Sequence, residues 1–441
     1  MPSSRRWAML AELPKGWRAG RLKDLCESIE RRLGTNAKLD ILSVTKRGVI
    51  PQSETYDKEI ASEDISKYRV IKPGEFGLAP MALYYGAIGR YRGEKPAIIS
   101  PAYNVFKHRS ETDPRYLEAL IRLPRMIARY EALSQGGNLE GKRKSTPYDA
   151  FETIKVLVPP LPEQRAISEM LGSLEDVIAK TESLIERIAQ AKRAAMRELL
   201  TLGIRRAKAP VKRMSTHWVL GRIAEGVTHI PVDWELVTLI KVAKLESGHT
   251  PDRKQPTYWD GSIPWISLQD ADALGRLTIS ETAETIGPEG LANSSARMLP
   301  AGTVVLQRTA NVGLASIMSR EMCTSQHFAN WICGPTLCPQ YLQQVFRHMS
   351  REWLRLMAGS VLPDIYMDTF KALQILVPPL QEQKKIGEVG AAFDRRIEHE
   401  RDTLELFVQY RAALAQELLS GRLRLPDSVI ARHRDKPEKA A

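Results

Sequence analysis

The stretch Asp149–Leu171, DAFETIKVLVPPLPEQRAISEML, decides the fold of this chain, because its pattern returns at Asp368–Gly390 as DTFKALQILVPPLQEQKKIGEVG, with 11 of 23 residues identical. In each copy an apolar run ends at two prolines, and apolar residues then recur every three or four positions. That spacing is typical of an amphipathic helix, and the prolines disfavour helix before it begins. Each stretch is therefore predicted to be a junction that ends a globular domain and starts a long helix.

The two junctions lie inside a longer repeat of about 220 residues that is present twice. LPKGW, which ends at Trp17, resembles IPVDW, which ends at Trp234, and Glu198–Leu200 aligns with Glu417–Leu419. The period is too long and the copies are too few for a solenoid, so the pattern indicates gene duplication. Identical aligned positions include Asp149, Phe151, Leu157, Val158, Pro159, Pro160, Leu161, Glu163, Gln164 and Ile167 with Asp368, Phe370, Leu376, Val377, Pro378, Pro379, Leu380, Glu382, Gln383 and Ile386.

The helices predicted after the junctions each span about 40 residues, or about 60 Å. Glu163 and Glu382 lie in the first turns, where the helix dipole favours an anion, and Gly203 and Gly421 fit the helix ends. Apolar stripes run along both helices. Because a whole globular domain connects them, the helices are expected to form an antiparallel coiled-coil pair. The alternative is that each helix packs only on its own domain.

The predicted fold class is α+β, with two globular domains joined by two long antiparallel helices and an internal two-fold pseudo-repeat. The globular domains alternate β-like runs such as LDILSVT and GTVVLQR with helical runs such as RYLEALIRLPRMIARYEAL. The predicted segments are a first domain at 1–158, a helix at 159–206, a linker at 207–228, a second domain at 229–377, a helix at 378–425 and a disordered tail at 426–441.

Composition narrows the class of protein. The 441 residues carry a net charge of +12, which favours a polyanionic partner such as nucleic acid. Four cysteines fit a reducing compartment without a disulfide framework. We find no apolar run long enough for a transmembrane helix, and MPSSRRWAML lacks the apolar segment of a secretory signal. The expected location is therefore the cytoplasm.

The two PPLxEQ junctions, the long helices behind them and the paired entry motifs LPKGW and IPVDW resemble the specificity subunit of type I restriction-modification systems. The resemblance covers about residues 12–425. ILSVTKRGVIP, IPWISLQDAD and YYGAIGRYRGEKPAIISPAYNVF are also similar to segments of that family's target recognition domains. The corresponding stretch of the second half, TANVGLASIMSREMCTSQHFANWI, is less regular.

The resemblance implies a division of labour. Each globular domain reads one half of a split site on double-stranded DNA, and the helices fix the spacing and dock two methyltransferase subunits. Those subunits use S-adenosylmethionine to methylate adenine, and a separate motor-nuclease subunit uses ATP and Mg²⁺. No catalytic site, metal or cofactor is expected on this chain. The implied docking residues are Arg165, Glu169, Lys384 and Lys385.

Searches for catalytic motifs agree with a non-catalytic role. The sequence contains no Walker A loop. It also lacks the NPPY-type or DPPY-type tetrad of adenine methyltransferases, because both proline pairs follow valine and not asparagine or aspartate. A nuclease-like set, Asp113 with Glu140-Gly141-Lys142, arises easily by chance in a charged chain. The spacing of Cys323, His327, Cys333 and Cys338 is unusual for structural zinc, and FANWICG is predicted to be a buried strand.

Candidate DNA contacts are side chains that pair with base edges or bind phosphate, on loops that follow β-like runs. The alternative for any one of them is a solvated surface charge or a structural hydrogen bond. In the first domain they are Thr45, Lys46, Arg47, Tyr84, Tyr85, Arg90, Lys142, Arg143 and Lys144. In the second domain they are Arg253, Lys254, Gln269, Asp270, Arg308, Asn311 and Gln326.

The globular domains differ strongly outside the junctions, which predicts an asymmetric bipartite DNA site. Three other hypotheses stay open. The chain could be the recognition subunit of a type IIB-like enzyme whose partner carries both methylation and cleavage. It could also be a standalone DNA nuclease, or a structural coiled-coil protein without a DNA role.

Overall fold

The computed structural model of the protein describes residues 13–34, 39–55, 64–136, 144–204, 210–214, 227–357 and 363–434. The chain forms two compact units. The first unit is Met1–Ala179 with Leu406–Ala441, and the second unit is Lys180–Glu405. Both units mix strands with helices, and each contains part of both long helices. The predicted α+β class and internal repeat are therefore confirmed.

In the first unit, short strands precede and follow a group of helices. The elements are β1 (Arg18–Arg21), β2 (Cys26–Ile29), β3 (Ile41–Thr45), β4 (Gly48–Pro51), β5 (Arg69–Ile71), β6 (Phe76–Leu78), β7 (Ile88–Arg90), β8 (Ala97–Ile99), β9 (Asn104–His108), α1 (Pro114–Ile121), α2 (Pro124–Leu133), α3 (Tyr148–Glu152), β10 (Lys155–Val158) and the start of α4 (Leu161–Leu202). The sheet orders are β1-β10, β2-β9-β6-β7 and β4-β3-β8-β5.

Aromatic residues from strands and helices form the core of the first unit. Phe76 and Phe106 stack with ring centroids 5.0 Å apart, and Phe151 of α3 lies 5.6 Å from Phe106. The single helical run predicted around residues 115–133 is two helices. Pro124 cannot continue a helix that began before it, because it lacks a backbone N–H and disfavours helical backbone at Leu123.

The second unit has its own strand and helix order. Its elements after α4 are β11 (Val211–Arg213), β12 (His229–Pro231), β13 (Glu235–Thr238), β14 (Ala243–Ser247), β15 (Ile263–Ile266), α5 (Ala271–Leu274), β16 (Thr278–Ile279), β17 (Glu284–Ile286), α6 (Pro288–Ala292), β18 (Val304–Gln307), β19 (Ala315–Met318), β20 (Cys323–Thr324), β21 (Phe328–Cys333), α7 (Pro339–His348), α8 (Ser350–Leu356), α9 (Met367–Lys371), β22 (Gln374–Val377) and α10 (Leu380–Ser420). The sheet orders are β14-β21-β18-β19-β16, β17-β15-β20, β13-β22 and β11-β12. FANWICG is the predicted buried strand, as β21.

The long helices begin just after the proline pairs and end at the glycines predicted from the sequence, so they are shorter than the predicted segments 159–206 and 378–425. Gly203 and Gly421 follow the ends of α4 and α10 with φ of 73° and 75°, the left-handed conformation that glycine adopts without strain. In the second unit Lys192 of α4 contacts Asp394 of α10 at 2.6 Å. In the first unit Glu163 contacts Arg424 just beyond α10, and Glu175 contacts Arg411. In the second unit Ile204, just past α4, also contacts Glu382 at the start of α10. Since partner numbers fall in each unit as the number along α4 rises, the helix segments within each unit run antiparallel.

The repeated junction is held by a tryptophan and a glutamate. In the first unit the Trp17 indole donates to Glu163 (3.0 Å), a carboxylate that is only 2% exposed and also accepts two hydrogen bonds from Arg424 (2.7 and 2.9 Å). In the second unit Trp234 donates to Glu382 (3.1 Å). Glu382 also accepts from the backbone N–H of Ile204, just past the end of α4 (2.9 Å). The bonds explain why the entry motifs and the PPLxEQ motifs repeat together.

The glutamine of each PPLxEQ motif binds the N-cap residue of an earlier helix in the same globular domain, α1 in the first unit and α7 in the second. Gln164 accepts from the N–H of Asp113, the N-cap of α1 (2.9 Å), and donates to Pro159 (3.0 Å). Gln383 accepts from the N–H of Cys338, the N-cap of α7 (2.8 Å), and donates to Pro378 (2.8 Å). Each junction thus fixes a long helix to one globular domain through buried hydrogen bonds, where a lost partner is most costly.

Two boundary predictions need correction. The tail predicted as disordered from 426 contains α11 (Asp427–Ala431), which buries Ile430, and His433 lies 2.8 Å from Glu169 of α4. Apolar side chains within this charged segment pack on the first unit's core, which composition alone did not indicate. Residues 435–441 lie outside the described residues. The predicted linker also contains β11, which pairs with β12.

Replacing Glu163 by alanine is expected to lower the free energy of unfolding by about 3 kcal/mol, because Trp17 and Arg424 would lose a buried partner. Urea unfolding followed by circular dichroism measures this change. The matched control is Glu182→Ala, an exposed glutamate on the same helix, with an expected effect of about 0.5 kcal/mol or less. Equal stability of the two variants would contradict the role given to Glu163.

The stability of the second unit is expected to fall as the pH drops from 6.5 towards 4. Burial, with Lys192 and Arg197 nearby, lowers the pKa of His348 from its ordinary value of 6.5 to about 4. In that window the unfolded chain binds a proton that the folded chain does not, so stability rises with pH by at most about 1.4 kcal/mol per pH unit.

Urea unfolding of the variant His348→Gln between pH 4 and pH 7 should show a smaller dependence on pH than the wild type. His399→Gln changes an exposed histidine on α10 and should keep the wild-type dependence. An unchanged slope in the His348 variant would rule out this source of acid sensitivity.

Candidate nucleic-acid interface

The β3–β4 turn of the first unit presents two of the predicted contacts. Lys46 and Arg47 are exposed at its tip, and Arg47 donates to the backbone of Glu54 (3.2 Å). Thr45 shapes the turn, since its hydroxyl accepts from the N–H of Arg47 (3.1 Å) and donates to Gly48 (3.3 Å). The turn can therefore present two cations in a fixed conformation.

A second group of predicted contacts meets at the 3-10 turn Leu83–Tyr85. The rings of Tyr84 and Tyr85 are perpendicular, with centroids 5.0 Å apart. The ammonium of Lys144 lies 4.8 Å from the Tyr84 ring, and Glu131 accepts from it at 3.1 Å. The structure thus brings Tyr84 and Lys144 together. Lys142 and Arg143 lie outside the described residues.

Arg90 has a structural partner. Its guanidinium donates to Glu118 of α1 (3.1 Å), a carboxylate that is 6% exposed and that also contacts Arg92 and Arg122. A buried carboxylate requires such counter-charges, so Arg90 holds α1 against β7. Arg92, whose side chain is 59% exposed, is a surface cation that the prediction missed, although it lies in the basic run YRGEK.

In the second unit Glu284 joins two predicted contacts that are distant in sequence. Arg253 makes two hydrogen bonds with Glu284, one of 2.9 Å, and its guanidinium lies 3.7 Å from the Trp259 ring centroid. Gln269 donates to the same carboxylate at 3.4 Å. The hydrogen bond from Arg253 lowers the pKa of Glu284, which keeps the pair charged. No sequence signal marked Glu284, because β17 brings it to Arg253 only in the folded chain.

The loop before Arg253 is fixed by bonds at its base. The Trp265 indole donates to His249 (3.0 Å), and Thr250 donates to the side chain of Gln326 (2.6 Å). A side chain at Gly248 would place its first carbon 2.1 Å from the Thr324 carbonyl oxygen, so glycine is required. Lys254 is exposed on this loop. Arg253, Lys254, Gln269 and Gln326 therefore lie on or beside one well-supported loop.

Two other predicted contacts are engaged in the fold. Asp270 is 5% exposed and accepts from the backbone N–H groups of Ser267 (2.8 Å) and Ala283 (2.7 Å). Arg308 donates to Ile365 (3.0 Å) and to Asp364 (3.2 Å). Residue type alone could not separate these structural partners from base-reading side chains. Asn311, three residues further, is exposed.

The predicted docking residues on the helices differ in their surroundings. Lys384 and Lys385 are exposed on α10, and Arg165 is half-buried on α4. Glu169 is exposed but pairs with His433. Lys384 and Lys385 are therefore the two cations of this set with the most accessible positions.

The described residues also bear on the other site types that the sequence raised. No three His, Cys, Asp or Glu side chains are grouped there in a way that could hold a metal ion. Asp113 of the nuclease-like set caps α1, and Glu140–Lys142 lie outside the described part of the chain. Of the helices in the described ranges, none combines the length and the apolarity that crossing a membrane requires.

Known proteins are similar to this chain in sequence. The sequence model of the type I restriction modification DNA specificity domain matches residues 231–406. The type I restriction enzyme MjaIX specificity subunit of Methanocaldococcus jannaschii is 31% identical over 179 residues, which are 40% of this chain and 41% of that protein. The putative MjaX specificity subunit of the same organism is 24% identical over 94% of this chain and 96% of that protein.

A solved structure has the same fold. The specificity subunit of a type I restriction-modification system from M. genitalium superposes with a TM-score of 0.53 at 13% identity, over 92% of this chain and 98% of that chain. The chain is therefore similar to type I restriction-modification specificity subunits, in residues 231–406 by the family model and over nearly its whole length by the MjaX relative.

Proposed function

We propose that this chain is a specificity subunit, the non-catalytic component that selects DNA for a type I restriction-modification complex. In this proposal each globular domain reads one half of a bipartite site, and the paired helices set the distance between the halves. The observation that carries it is the duplicated junction. The first copy fixes its globular domain to a long helix through Trp17 and Glu163, and the second copy does so through Trp234 and Glu382. This arrangement suits two domains that each read their own half-site.

The proposed site is asymmetric. The first unit carries two four-stranded sheets, whereas the second has sheets of five and three strands. The loops that present polar side chains differ accordingly, with Lys46 and Arg47 on a hairpin in one unit and Arg253 beside a tryptophan in the other. Different loop chemistry supports recognition of different half-site sequences.

The proposed DNA-contacting surface is made of the exposed members of the predicted set together with half-buried Tyr84 and Lys144. They are Lys46, Arg47, Tyr84, Tyr85 and Lys144 in the first unit and Arg253, Lys254, Gln269, Asn311 and Gln326 in the second. Thr45, Arg90, Asp270 and Arg308 are assigned to supporting roles because of their bonds within the fold. Lys142 and Arg143 remain part of the proposal on sequence grounds.

The proposed partners are double-stranded DNA, two methyltransferase subunits and the motor-nuclease subunits, with the complex in the cytoplasm. S-adenosylmethionine, ATP and Mg²⁺ are assigned to those partners. Exposed Lys384 and Lys385, with Arg165 and Glu169, are the proposed docking residues. Their position just after the junctions would place a partner close to the DNA-reading domains.

Single-molecule methylome sequencing tests the proposal. Cells that express the chain with its methyltransferase partner are expected to carry N6-methyladenine in one split, non-palindromic motif, and the same cells without this chain should lack that motif. An unchanged methylome, together with failure of the purified complex to select any duplex, would overturn the proposal. A palindromic motif would contradict the asymmetry.

Lengthening both helices by one heptad is expected to lengthen the DNA spacer. Insertions after Leu184 in α4 and after Arg401 in α10 leave the pairs Lys192–Asp394 and Glu175–Arg411 in register on either side. Seven residues add about 10.5 Å of helix, or about 3 base pairs of DNA at 3.4 Å each. The methylome motif of the double-insertion variant measures the spacer.

The control carries the insertion after Leu184 alone, which mismatches the helix pair and should abolish methylation. A double-insertion variant that methylates the original motif with an unchanged spacer would rule out the helices as the ruler.

A further inference from the structure

The loop Arg308–Gly313 of the second unit has a strained backbone. Ala310 has φ of 64°, the left-handed conformation, and is the non-glycine residue with positive φ in the part of the chain that the structure describes. A side chain is disfavoured there, and such residues persist only where surrounding bonds impose the conformation. The surroundings of Ala310 therefore indicate what the loop is built to hold.

Bonds on both sides fix this loop. The Thr309 hydroxyl donates to Asp364 (2.7 Å), and the N–H of Ala310 donates to Pro363 (2.9 Å). The Gln307 side chain donates to the carbonyl of Thr309 (2.9 Å). Gly313 closes the loop against Trp353, where a side-chain carbon would lie 2.5 Å from the ring. The loop is thus held as a rigid unit.

The residue at the tip of the loop is Asn311. It is exposed, and among the described residues its carboxamide makes no hydrogen bond. The other two carboxamides of the predicted contact set are engaged: Gln326 accepts from Thr250 (2.6 Å), and Gln269 donates to Glu284 (3.4 Å). Asn311 therefore keeps both its donor and its acceptor available, on a backbone that is fixed in advance.

An exposed aromatic side chain lies on the segment that is bonded to the start of this loop. Tyr366 is 62% exposed and follows Ile365, whose carbonyl accepts from Arg308 at the start of the loop (3.0 Å). Arg308 also donates to the backbone of Gln326 (3.3 Å). The surface around Arg308 thus combines an unengaged carboxamide with an exposed ring, the two features suited to the edge and the face of a nucleobase.

We infer that Asn311 reads one adenine in the half-site of the second domain, and that Ala310 and Asp364 position it. An asparagine carboxamide matches adenine because it can accept from the N6 amino group and donate to N7 at the same time. The inference rests on the proposed function, since it names one base contact of that function. A phosphate contact is the competing role for the same side chain.

The test uses the complex of this chain with its methyltransferase partner and duplexes that carry the methylome motif. In a set of duplexes, each adenine of the motif is replaced in turn by 7-deazaadenine, which lacks N7. The wild-type complex should lose about tenfold in affinity at one position that Asn311 contacts. Asn311→Ala should lose about tenfold or more on the natural duplex and show no further loss at that position.

Control variants separate base reading from structure. Asn293→Ala changes another exposed asparagine of the second unit and should bind like the wild type. Ala310→Val, if circular dichroism shows it folded, should lose discrimination at the same position as Asn311→Ala.

Each outcome has one meaning. If Asn311→Ala keeps the wild-type sensitivity to every 7-deazaadenine, Asn311 is no adenine reader. A uniform loss of affinity on all duplexes, with the wild-type sensitivity to 7-deazaadenine retained, would assign Asn311 to phosphate and overturn the inference. If the wild-type complex selects no duplex, the proposed function itself fails, so the wild-type arm and the variant arm test different statements.

Discussion

The glutamate of each PPLxEQ junction, buried as Glu163 and half-buried as Glu382, is the constraint on which the rest of this protein depends. A carboxylate that is taken out of water must be paired, and Glu163 is paired by a tryptophan from before the domain and an arginine from beyond the second long helix. Those partners are 146 and 261 residues away in sequence. One side chain therefore fixes the entry to the first domain, the start of α4 and the end of α10 in one place.

An ion pair between the long helices is also repeated in the two units. With the repeat register, Glu175 is equivalent to Asp394, and Arg411 is equivalent to Lys192. The pairs Glu175–Arg411 in the first unit and Lys192–Asp394 in the second are thus one contact that occurs twice. Asp394 is also bonded to Arg347 (3.0 Å) and Gln344 (2.9 Å) of α7, so in the second unit this contact also ties the globular domain to the helices.

The duplicated frame, which consists of the two PPLxEQ junctions and the helices α4 and α10, was predictable from the sequence because its signals are local. Prolines, glycines and apolar spacing mark where α4 and α10 begin and end, and these signals act through backbone conformation at their own positions. The helix that follows Pro426 was missed because its stability comes from packing of Ile430 on a distant core. The split of the helical run at Leu123 was visible in principle, since Pro124 stands in the run itself.

The candidate site was less predictable, because a polar residue's role depends on its partner in space. Arg90 and Arg253 are both arginines near β strands, yet Arg90 neutralises buried Glu118 whereas Arg253 lies half-exposed over Trp259. Glu118 is 28 residues from Arg90, and Glu284 is 31 residues from Arg253. No short motif records such pairs, so sequence reasoning found the loops but could not rank their residues.

The polar side chains that stabilise the fold and those proposed to recognise DNA lie in different parts of the protein. The hydrogen bonds of Gln164 and Gln383 are largely buried at the junctions, whereas the side chains proposed to read DNA lie on exposed loops that have their own supporting bonds. Substitutions at distant sites without shared partners act nearly additively on stability. Residues such as Lys46 and Asn311 can therefore change without loosening a junction, so that one duplicated frame can support loops of different chemistry in its two halves.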